Sequence, residues 1–479
     1  MVSWKFWDFF NSAKFNGGSI MKNIRELNKT ADEALKSAKS IVDVIVDSQS
    51  FVESDRFIRS ATALGEATGE GVVSGFATVG DVQVGVFAIA GDVLKGGIGQ
   101  ANAKKIAKCV KNAIKTVSPV VGIVDTQGAR FAEGIEALEG YGEIFEAFSS
   151  AYGVVPTILV VKGSNYGMTS YLSSLCDFTV CYDKSVTATS SPLILVAGTT
   201  ADAAKVGTGE AMAKAGVASV VVKSDKELAD VVKKLISFMT FTAIETEDDG
   251  NRVCKGLKTG TKTAAVISEI FDKDSFLEIK KGFGAEVVTG YARLNGVAVG
   301  VVASDATVND GRLTPDGAKK VAELVNTCDY FAVPVVSLID SKGVVNCAAC
   351  QGELMRSVGD MIYAYATASV AKVALVTGNA IGVGYTAFCS KSVSDYTIAW
   401  ESACIGMLDN AASAELVYAK EIAEAKDKDA ALIKLAKEYG DENTAAVTVA
   451  EKGYIDNVIN PNFSRQYLIA AVQAFIEKR

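Results

Sequence analysis

The stretch Gly71–Ala88, GVVSGFATVGDVQVGVFA, recurs later in the chain as Ala285–Ala303, AEVVTGYARLNGVAVGVVA. Gly75 of the first stretch aligns with Gly290 of the second, 215 positions further on (290 − 75). The same offset holds without a gap at the pairs Gly85/Gly300, Gly96/Gly311, Lys104/Lys319, Lys105/Lys320, Pro119/Pro334, Asp125/Asp340, Gly128/Gly343, Gly163/Gly378 and Gly167/Gly382. A register kept over such a length indicates an internal duplication of one structural unit.

The hydrophobic pattern inside each copy predicts the same series of elements. Strands come first, since Val82, Val84 and Val86 alternate onto one face. A helix follows, with an apolar stripe of Ile106, Val110, Ala113 and Val117. Continuous apolar strands that end in glycine turns come next, which is typical of a parallel sheet covered by helices. The predicted fold class is therefore α/β, with a ββα unit present twice.

The duplication also predicts the domain organisation. We expect one domain over residues 21–250 and a homologous one over residues 260–479, after an N-terminal arm or upstream mis-start over residues 1–20. The polar stretch Glu245–Lys262, ETEDDGNRVCKGLKTGTK, suits a linker.

Charge and hydropathy exclude several classes of protein. The formal net charge is −8 and we find no stripe of Lys and Arg, so a nucleic-acid binder is not expected. No apolar run reaches the roughly 18 residues of a membrane helix. Nine cysteines without a secretion signal predict reduced thiols and a cytoplasmic protein. The pair Cys347 and Cys350 forms a lone CxxC, which is a weak metal signal, and no metal site is expected.

The sequence contains no histidine. This excludes Ser-His-Asp and Cys-His catalysis, HExxH zinc sites and histidine general bases. An enzyme built on this chain must use main-chain amides, carboxylates, lysines, tyrosines or groups of its own substrates.

Paired glycine turns are the candidate site. Each half has two turns at the carboxyl ends of predicted strands, where main-chain N–H groups are delivered to a ligand. The turns are Gly128-Ala129, Gly167-Met168, Gly343-Val344 and Gly382-Val383. Two N–H groups that converge on one point form an oxyanion hole. A single glycine turn would be read as an ordinary strand-to-helix connection, but four turns paired at one offset favour a function.

Several motifs resemble the carboxyltransferase family that includes the propionyl-CoA carboxylase β chain and the methylmalonyl-CoA and glutaconyl-CoA decarboxylase α chains. They span residues 45 to 479 and comprise Gly96-Gly97, Asp125–Arg130, Glu133-Gly134, Gly140–Phe145, Arg293–Gly296, Gly311–Leu313, Tyr396–Trp400, Gly453–Asp456 and Asn460-Pro461. The resemblance implies a crotonase-like (ClpP/crotonase) ββα superhelix, twice per chain.

The resemblance also implies a reaction. Carboxybiotin on a separate carrier protein would release CO₂ in the site, and its ureido nitrogen would take the α-proton of an acyl-CoA, so that no protein base is needed. Ala129 and Met168 would hold the thioester enolate, and Val344 and Val383 the biotin enolate. The site would lie between two subunits of a homodimer or homohexamer, with propionyl-CoA or methylmalonyl-CoA as substrate.

Seven further residues are candidates for binding the acyl-CoA: Lys95, Gly96, Gly97, Arg130, Tyr171, Tyr385 and Thr386. Lys95 suits a CoA phosphate, although most surface lysines bind nothing specific. Arg130 either touches substrate or orders its loop by an ion pair with Glu133, and ordering is favoured. Tyr171 and Tyr385 could equally line the pocket or serve ordinary packing.

Two alternatives stay open. One is the α subunit of a sodium-pumping acyl-CoA decarboxylase, with a membrane subunit as partner. The other is a non-catalytic scaffold that binds acyl-CoA, because Met168 and Val383 stand where the family usually has a second glycine. No biotinylation sequence is present, so the carrier is expected to be another chain.

Overall fold

The fold consists of two sheets of eight strands each. The structure is a computed structural model and describes residues 18–59 and 68–477. The predicted N-terminal arm, residues 1–20, lies outside the described residues except for its last three.

The first sheet is built from strands between residues 52 and 222. They are β1 (Val52–Glu53), β2 (Val72–Val79), β3 (Val82–Ile89), β4 (Val120–Thr126), β5 (Thr157–Tyr166), β6 (Phe178–Tyr182), β7 (Val186–Ala188) and β8 (Val220–Val222). The second sheet contains β9 (Leu277–Ile279), β10 (Val287–Leu294), β11 (Val297–Ser304), β12 (Val335–Ser341), β13 (Lys372–Ile381), β14 (Tyr396–Trp400), β15 (Cys404–Gly406) and β16 (Asn457–Ile459).

Helices connect and cover these strands. In the first half they are α1 (Gly18–Ala34), α2 (Lys36–Ile45), α3 (Gln100–Lys115), α4 (Ile135–Ala151), α5 (Leu172–Leu175), α6 (Pro192–Leu195), α7 (Gly209–Lys214) and α8 (Asp225–Thr240). In the second half they are α9 (Thr263–Ile270), α10 (Pro315–Tyr330), α11 (Gln351–Thr367), α12 (Val383–Thr386), α13 (Asn410–Val417), α14 (Ala419–Glu424), α15 (Lys428–Tyr439), α16 (Ala446–Glu451) and α17 (Ser464–Phe475).

Both sheets follow one topology. The first runs β1-β2-β3-β4-β5-β6-β8, with β7 beside β5, and the second runs β9-β10-β11-β12-β13-β14-β16, with β15 beside β13. The first two pairings of each sheet are antiparallel and the others are parallel. Gly85 faces Val120 in one sheet as Gly300 faces Val335 in the other. The predicted duplication of a strand–strand–helix unit is confirmed at the level of strand register.

A continuous core joins the two halves. Tyr291 of β10 is fully buried, and its ring meets Phe178 of β6 edge-on and stacks on Phe238 of α8. Arg293, two residues further along β10, donates to the carbonyls of Ser237 and Phe241. Helix α8, which precedes the expected linker, therefore packs against both halves. The domain bounds remain predictions, and residues 241–262 contain no helix or strand.

One expectation from the sequence is wrong. Val117 does not end the stripe of α3, because the helix stops at Lys115 and Val117 is 77% exposed with a φ of 50°. The side chains of Cys347 and Cys350 lie against each other, because the short loop before α11 brings their Cα atoms within 5.5 Å. Seven other cysteines are free.

Two buried lysines fasten equivalent helices to equivalent strands. The Nζ of Lys105 on α3 donates to the carbonyl of Val72, and the Nζ of Lys320 on α10 donates to that of Val287 at 2.7 Å. Burial lowers the pKa of each lysine to about 8, because a charged ammonium loses its hydration there.

This shift predicts a pH dependence. The pKa of Lys320 is lower in the folded chain than in the unfolded one, so between about pH 8 and 10 the unfolded state binds more protons. The free energy of unfolding of the wild type should therefore rise relative to that of Lys320→Met over this interval, by up to about 1.4 kcal/mol per pH unit. Urea unfolding of both proteins at several pH values checks this, and a constant difference would contradict it.

Candidate active site

The first turn of the candidate site follows strand β4. Gly128 has a φ of 106°, a conformation that side chains on Cβ disfavour, and its N–H donates to the hydroxyl of Thr126 at 3.0 Å. The glycine and the threonine together reverse the chain at the end of the strand.

The turn leaves one amide without a partner. Ile98 donates its N–H to the carbonyl of Gly128 at 2.9 Å and accepts the N–H of Arg130 at 2.8 Å. Because N–H groups alternate in direction along an extended chain, the N–H of Ala129 points away from Ile98. Among the described residues no acceptor lies within hydrogen-bond distance of it. A free, oriented donor therefore stands at the carboxyl end of the strand.

The second turn of the first half touches the first. Gly167 follows β5 with a φ of 68°, and a Cβ added to it would lie 3.9 Å from the Cα of Gly128. A Cβ added to Gly128 would in turn meet the carbonyl oxygen of Tyr166 at 3.4 Å. Met168 is in the first turn of a short 3₁₀ helix, Gly167–Tyr171, where N–H groups have no partner within the helix. The structure thus brings Ala129 and Met168 together.

The second half repeats this construction. Leu313 donates to the carbonyl of Gly343 at 2.9 Å and accepts from Val345 at 3.1 Å, which leaves the Val344 N–H without an acceptor in the described part of the chain. The φ of Gly343 is 92°, and its N–H donates to the hydroxyl of Ser341.

The partner turn in the second half is equally close. A Cβ on Gly343 would lie 3.2 Å from the carbonyl oxygen of Ile381. Gly382, with a φ of 55°, donates its N–H to Gly406, and Val383 begins α12 with a free first-turn N–H. Each half of the chain therefore carries two neighbouring turns, each followed by a main-chain N–H with no acceptor in the described residues.

The side chains beside these amides are anchored in the core. Ala129 and Met168 are half-buried and pack against the core of the first half. Val344 and Val383 do the same in the second half. Replacement of a family glycine by Met168 or Val383 thus leaves the main-chain donor in place and seats the side chain on apolar neighbours.

Arg130 orders the first turn. Its guanidinium donates to the carboxylates of Glu70 and Glu133, and the side chains of all three residues are at most 9% exposed. Glu133 also accepts the N–H of Gln100 at 2.8 Å, at the start of α3. These contacts give Arg130 a positioning role, the reading favoured from the sequence.

The glycines before α3 are packed rather than open. A Cβ on Gly96 would collide with the carbonyl of Asp125, and a Cβ on Gly97 would lie 2.9 Å from the Arg130 side chain. Lys95 is exposed, and its carbonyl accepts the N–H of Gln127. Of these three candidates, Lys95 alone presents a side chain to solvent beside the turn.

The remaining candidates lie just beyond the second turn of each half. Tyr171 is half exposed. Tyr385 is half-buried, and its hydroxyl donates to the carbonyl of Tyr454 at 3.1 Å. Thr386 is exposed, and its hydroxyl donates to the carbonyl of Gly382 at 3.2 Å.

Two pairs of residues that shape the turns escaped the sequence analysis. The hydroxyls of Thr126 and Ser341 hold the glycine N–H groups. The carboxylates of Asp125 and Asp340 accept the N–H of Ser164 at 2.9 Å and of Asn379 at 2.8 Å, which ties adjacent strands together below the turns. Their common offset of 215 positions was the available signal.

The larger cavities lie elsewhere. A cavity of about 490 Å³ lies between parts of the two halves, and its lining includes Tyr152, Asp177, Lys280 and Glu323. Another, of about 390 Å³, opens between α3 and strands β2 and β3. The glycine turns line neither of them. Beside the first turn Phe131 is 94% exposed, so this half-site lies at the surface of the single chain.

These features define a class of protein: a duplicated ββα fold in which each unit carries two neighbouring glycine turns with unengaged main-chain N–H groups, the kind of donor that forms oxyanion holes in enzymes. The family comparison then settles the membership. Residues 34–479 match the model of the carboxyl transferase domain, and the chain belongs to that family.

Similar proteins cover nearly the whole chain. The methylmalonyl-CoA decarboxylase α subunit of Propionigenium modestum is 31% identical, with 95% of this chain and 93% of that protein aligned. The methylmalonyl-CoA carboxyltransferase 12S subunit of Propionibacterium freudenreichii subsp. shermanii is 30% identical, with 95% of this chain and 91% of that protein aligned.

Solved structures agree with this. One chain of the transcarboxylase 12S structure, a hexamer with methylmalonyl-CoA bound, superimposes on this chain with a TM-score of 0.91 at 29% identity. The match covers 98% of this chain and 96% of that one. The predicted fold, a duplicated crotonase-like superhelix, is confirmed, as is the prediction of a carboxyltransferase enzyme.

Within residues 18–59 and 68–477 no helix combines the length and the apolar character needed to cross a bilayer. The same residues contain no group of three or more His, Cys, Asp or Glu side chains arranged to hold a metal ion.

The left-handed turns predict that alanine lowers stability at a turn glycine but raises it at a helical glycine. Gly343→Ala should lower the free energy of unfolding by about 1–3 kcal/mol, because alanine must adopt a φ near 92° there. Gly359→Ala is the matched control, since it lies in α11 with nothing within 4 Å of an added Cβ, and should raise stability by about 0.5–1 kcal/mol. Urea unfolding measures both, and equal stability of Gly343→Ala and wild type would refute the strain argument.

Proposed function

We propose that the protein transfers a carboxyl group between biotin on a separate carrier protein and the α-carbon of a short acyl-CoA, with propionyl-CoA and methylmalonyl-CoA as the preferred pair. The observation that supports this is the duplicated pair of unengaged main-chain donors. Residues 21–250 form the acyl-CoA side and residues 260–479 the biotin side.

On the acyl-CoA side, the N–H groups of Ala129 and Met168 donate to the thioester oxygen. Removal of the α-proton places negative charge on that oxygen, and donors fixed by the fold stabilise the charge without reorganising. The turn is held rigid by Gly128 and by the buried Arg130 ion pairs. When bound, biotin supplies the carboxyl group and the nitrogen that accepts the proton, so the chain needs no histidine.

On the biotin side, the N–H groups of Val344 and Val383 donate to the ureido oxygen. These donors stand in the same register as those of the first half, which suits a second oxygen that gains charge during the same reaction. The two half-sites thus act on the two reactants.

Two subunits complete the site. Exposed apolar side chains follow the first turn of the first half in the sequence and lie on the segment after β15 in the second half. They are Phe131, Ile135 and Leu138 in the first half and Met407, Leu408, Leu416 and Val417 in the second. The Met407 carbonyl lies 3.4 Å from where a Cβ on Gly382 would be. Covering these side chains with a second copy would exclude water from the enolates. We therefore place the site between the first half of one subunit and the second half of another, in a homodimer or a homohexamer.

Several similar proteins support the choice of substrate. The names of the decarboxylase and transcarboxylase relatives contain methylmalonyl-CoA, and a propionyl-CoA carboxylase β chain of Saccharopolyspora erythraea is 31% identical over 95% of this chain. The first of these also supports the alternative that the chain is the α subunit of a sodium-pumping decarboxylase, which uses the same half-sites in reverse. We further propose a cytoplasmic location, in keeping with seven free cysteines.

The direct test of function is exchange of labelled carboxylate. Methylmalonyl-CoA labelled in its free carboxyl group, incubated with the protein and with biotin or a biotinylated carrier, should yield unlabelled propionyl-CoA. Activity that appears only with a co-purified membrane subunit would select the decarboxylase alternative. Tight binding of CoA esters without exchange would instead identify a scaffold.

Removing one donor should remove most of the activity. Ala129→Pro deletes an N–H that has no acceptor in the described residues, and loss of one oxyanion donor lowers kcat by about 10²–10³-fold. Ala129→Ser keeps the amide and is the matched control. Steady-state kinetics with circular dichroism of each variant check this. A folded Ala129→Pro enzyme with wild-type kcat would rule out this donor.

Mixing variants tests whether the site is shared. Ala129→Pro and Val344→Pro should each be inactive alone. When equal amounts of the two are unfolded together and refolded, about half of the dimers should be mixed, and each mixed dimer has one site with both turns intact. The whole sample should therefore recover about a quarter of the wild-type activity. No recovery, despite formation of mixed dimers shown by differently tagged chains, would place the two half-sites within one subunit.

A further inference from the structure

The cavity of about 390 Å³ between α3 and strands β2 and β3 lies away from the candidate active site. Gly85, in its lining, pairs with Val120, the first residue of β4. Strands β3, β4 and β5 are parallel, and the glycine turns follow the carboxyl ends of β4 and β5. The cavity is therefore at the amino ends of the parallel strands, at the opposite end of the sheet from the turns.

Larger side chains occupy the equivalent place in the second half. Leu324 and Cys328 stand 215 positions after Cys109 and Ala113, which line the cavity. A Cβ added to Gly300 would lie 2.3 Å from Cys328 Sγ, so the sulfur fills the space over that glycine. Leu324 and Cys328 are at most 2% exposed. The smaller cysteine and alanine of the first half thus leave room beneath α3.

A buried hydroxyl in the lining of the cavity lacks a partner. Ser74 is 1% exposed, and its Oγ makes no hydrogen bond. Thr289, the equivalent residue of the second half, donates its hydroxyl to the carbonyl of Ile279 at 3.2 Å. Buried polar groups in native proteins nearly always have partners, so an unpaired hydroxyl points to an occupant with a polar group.

The rim of the cavity carries an excess of positive charge. Among the described residues that line it, Asp55 is the one acidic residue, and it pairs with Lys108 at 2.9 Å. Lys115 also lines the cavity, is exposed, and has no ion pair within residues 18–59 and 68–477. The equivalents of Lys108 and Lys115 in the second half are Glu323 and Tyr330. The excess of lysine therefore belongs to the first half alone.

The wall of the cavity is largely apolar. Phe76 is 49% exposed there, whereas its equivalent, Tyr291, is fully buried because it packs against the first half. Burial raises the pKa of Cys109 to about 12, so its thiol stays neutral. Ala113 adds a methyl group to the same wall. An apolar body would remove these groups from water.

We propose that this cavity binds a small amphipathic anion, a carboxylate with an apolar body. The carboxylate lies at the rim beside Lys115, and the apolar body lies against Phe76 and Ala113. One unpaired lysine suits a single negative charge better than the double charge of a phosphate, and the volume is that of a small-molecule site. This binding is additional to the proposed function and does not depend on it.

The first test compares two ligands of one chain length on the full-length protein. Isothermal titration calorimetry with octanoate should show binding about tenfold or more tighter than with octan-1-ol, because a charge-assisted contact is lost with the neutral alcohol. Equal affinities for the two ligands, or no binding of octanoate, would overturn the proposal.

One lysine variant tests the place of the charge. Lys115→Met should weaken octanoate binding about tenfold and leave octan-1-ol binding unchanged. Lys111→Met is the matched control, since Lys111 is exposed on the same helix, pairs with Glu146 and does not line the cavity. Octanoate affinity that falls equally in both variants would show a general charge effect and would contradict the site.

A second variant tests the place of the apolar body. Cys109→Leu/Ala113→Cys gives the first half the residues that the second half has in the same register, so the fold should tolerate them. It should bind neither ligand measurably, with circular dichroism as the check on folding. Wild-type affinity for octanoate in the folded double variant would place the ligand elsewhere. If the double variant does not fold, the comparison of Lys115→Met with Lys111→Met decides.

Discussion

Left-handed backbone at four glycines is the constraint on which the candidate site depends. Gly128, Gly167, Gly343 and Gly382 all have φ between 55° and 106°, where a side chain would be strained. These values reverse the chain directly after a strand and expose the next N–H. Fixed main-chain N–H groups stabilise an oxyanion without titrating, which suits a chain that has no histidine.

The duplication shows which parts of the turn matter. A hydroxyl holds the glycine N–H in both halves, from Thr126 in one and Ser341 in the other. In both halves a carboxylate also accepts a main-chain N–H from the neighbouring strand, and it belongs to Asp125 in one half and to Asp340 in the other. The surrounding contacts differ, because Arg130 pairs with Glu70 and Glu133 in the first half, whereas Arg312 donates to the Lys342 carbonyl at 3.0 Å in the second. The donor geometry is thus common to both units, and its anchoring is not.

How far the sequence could predict this structure depended on the range of each interaction. The strands and the turns were predictable, because glycine and strand periodicity act locally and the offset of 215 positions repeated them. The end of α3 was misjudged at Val117, since the apolar pattern continues past the last helical residue. The Arg130–Glu70 pair joins residues sixty positions apart, and no local pattern of residues connects them. Close packing against Asp125 and Arg130 explains why positions 96 and 97 are glycine, and contact of Gly96 and Gly97 with substrate stays a prediction.

The central claim is that main-chain N–H groups, not side chains, hold the enolate oxygen. The most direct measurement is a crystal structure with a nitronate analogue of the acyl-CoA enolate bound in the complete oligomer. The account predicts that the charged oxygen of the analogue lies within about 3 Å of the main-chain nitrogens of Ala129 and Met168. An oxygen held by a lysine or arginine side chain, with both amides out of hydrogen-bond range, would contradict it.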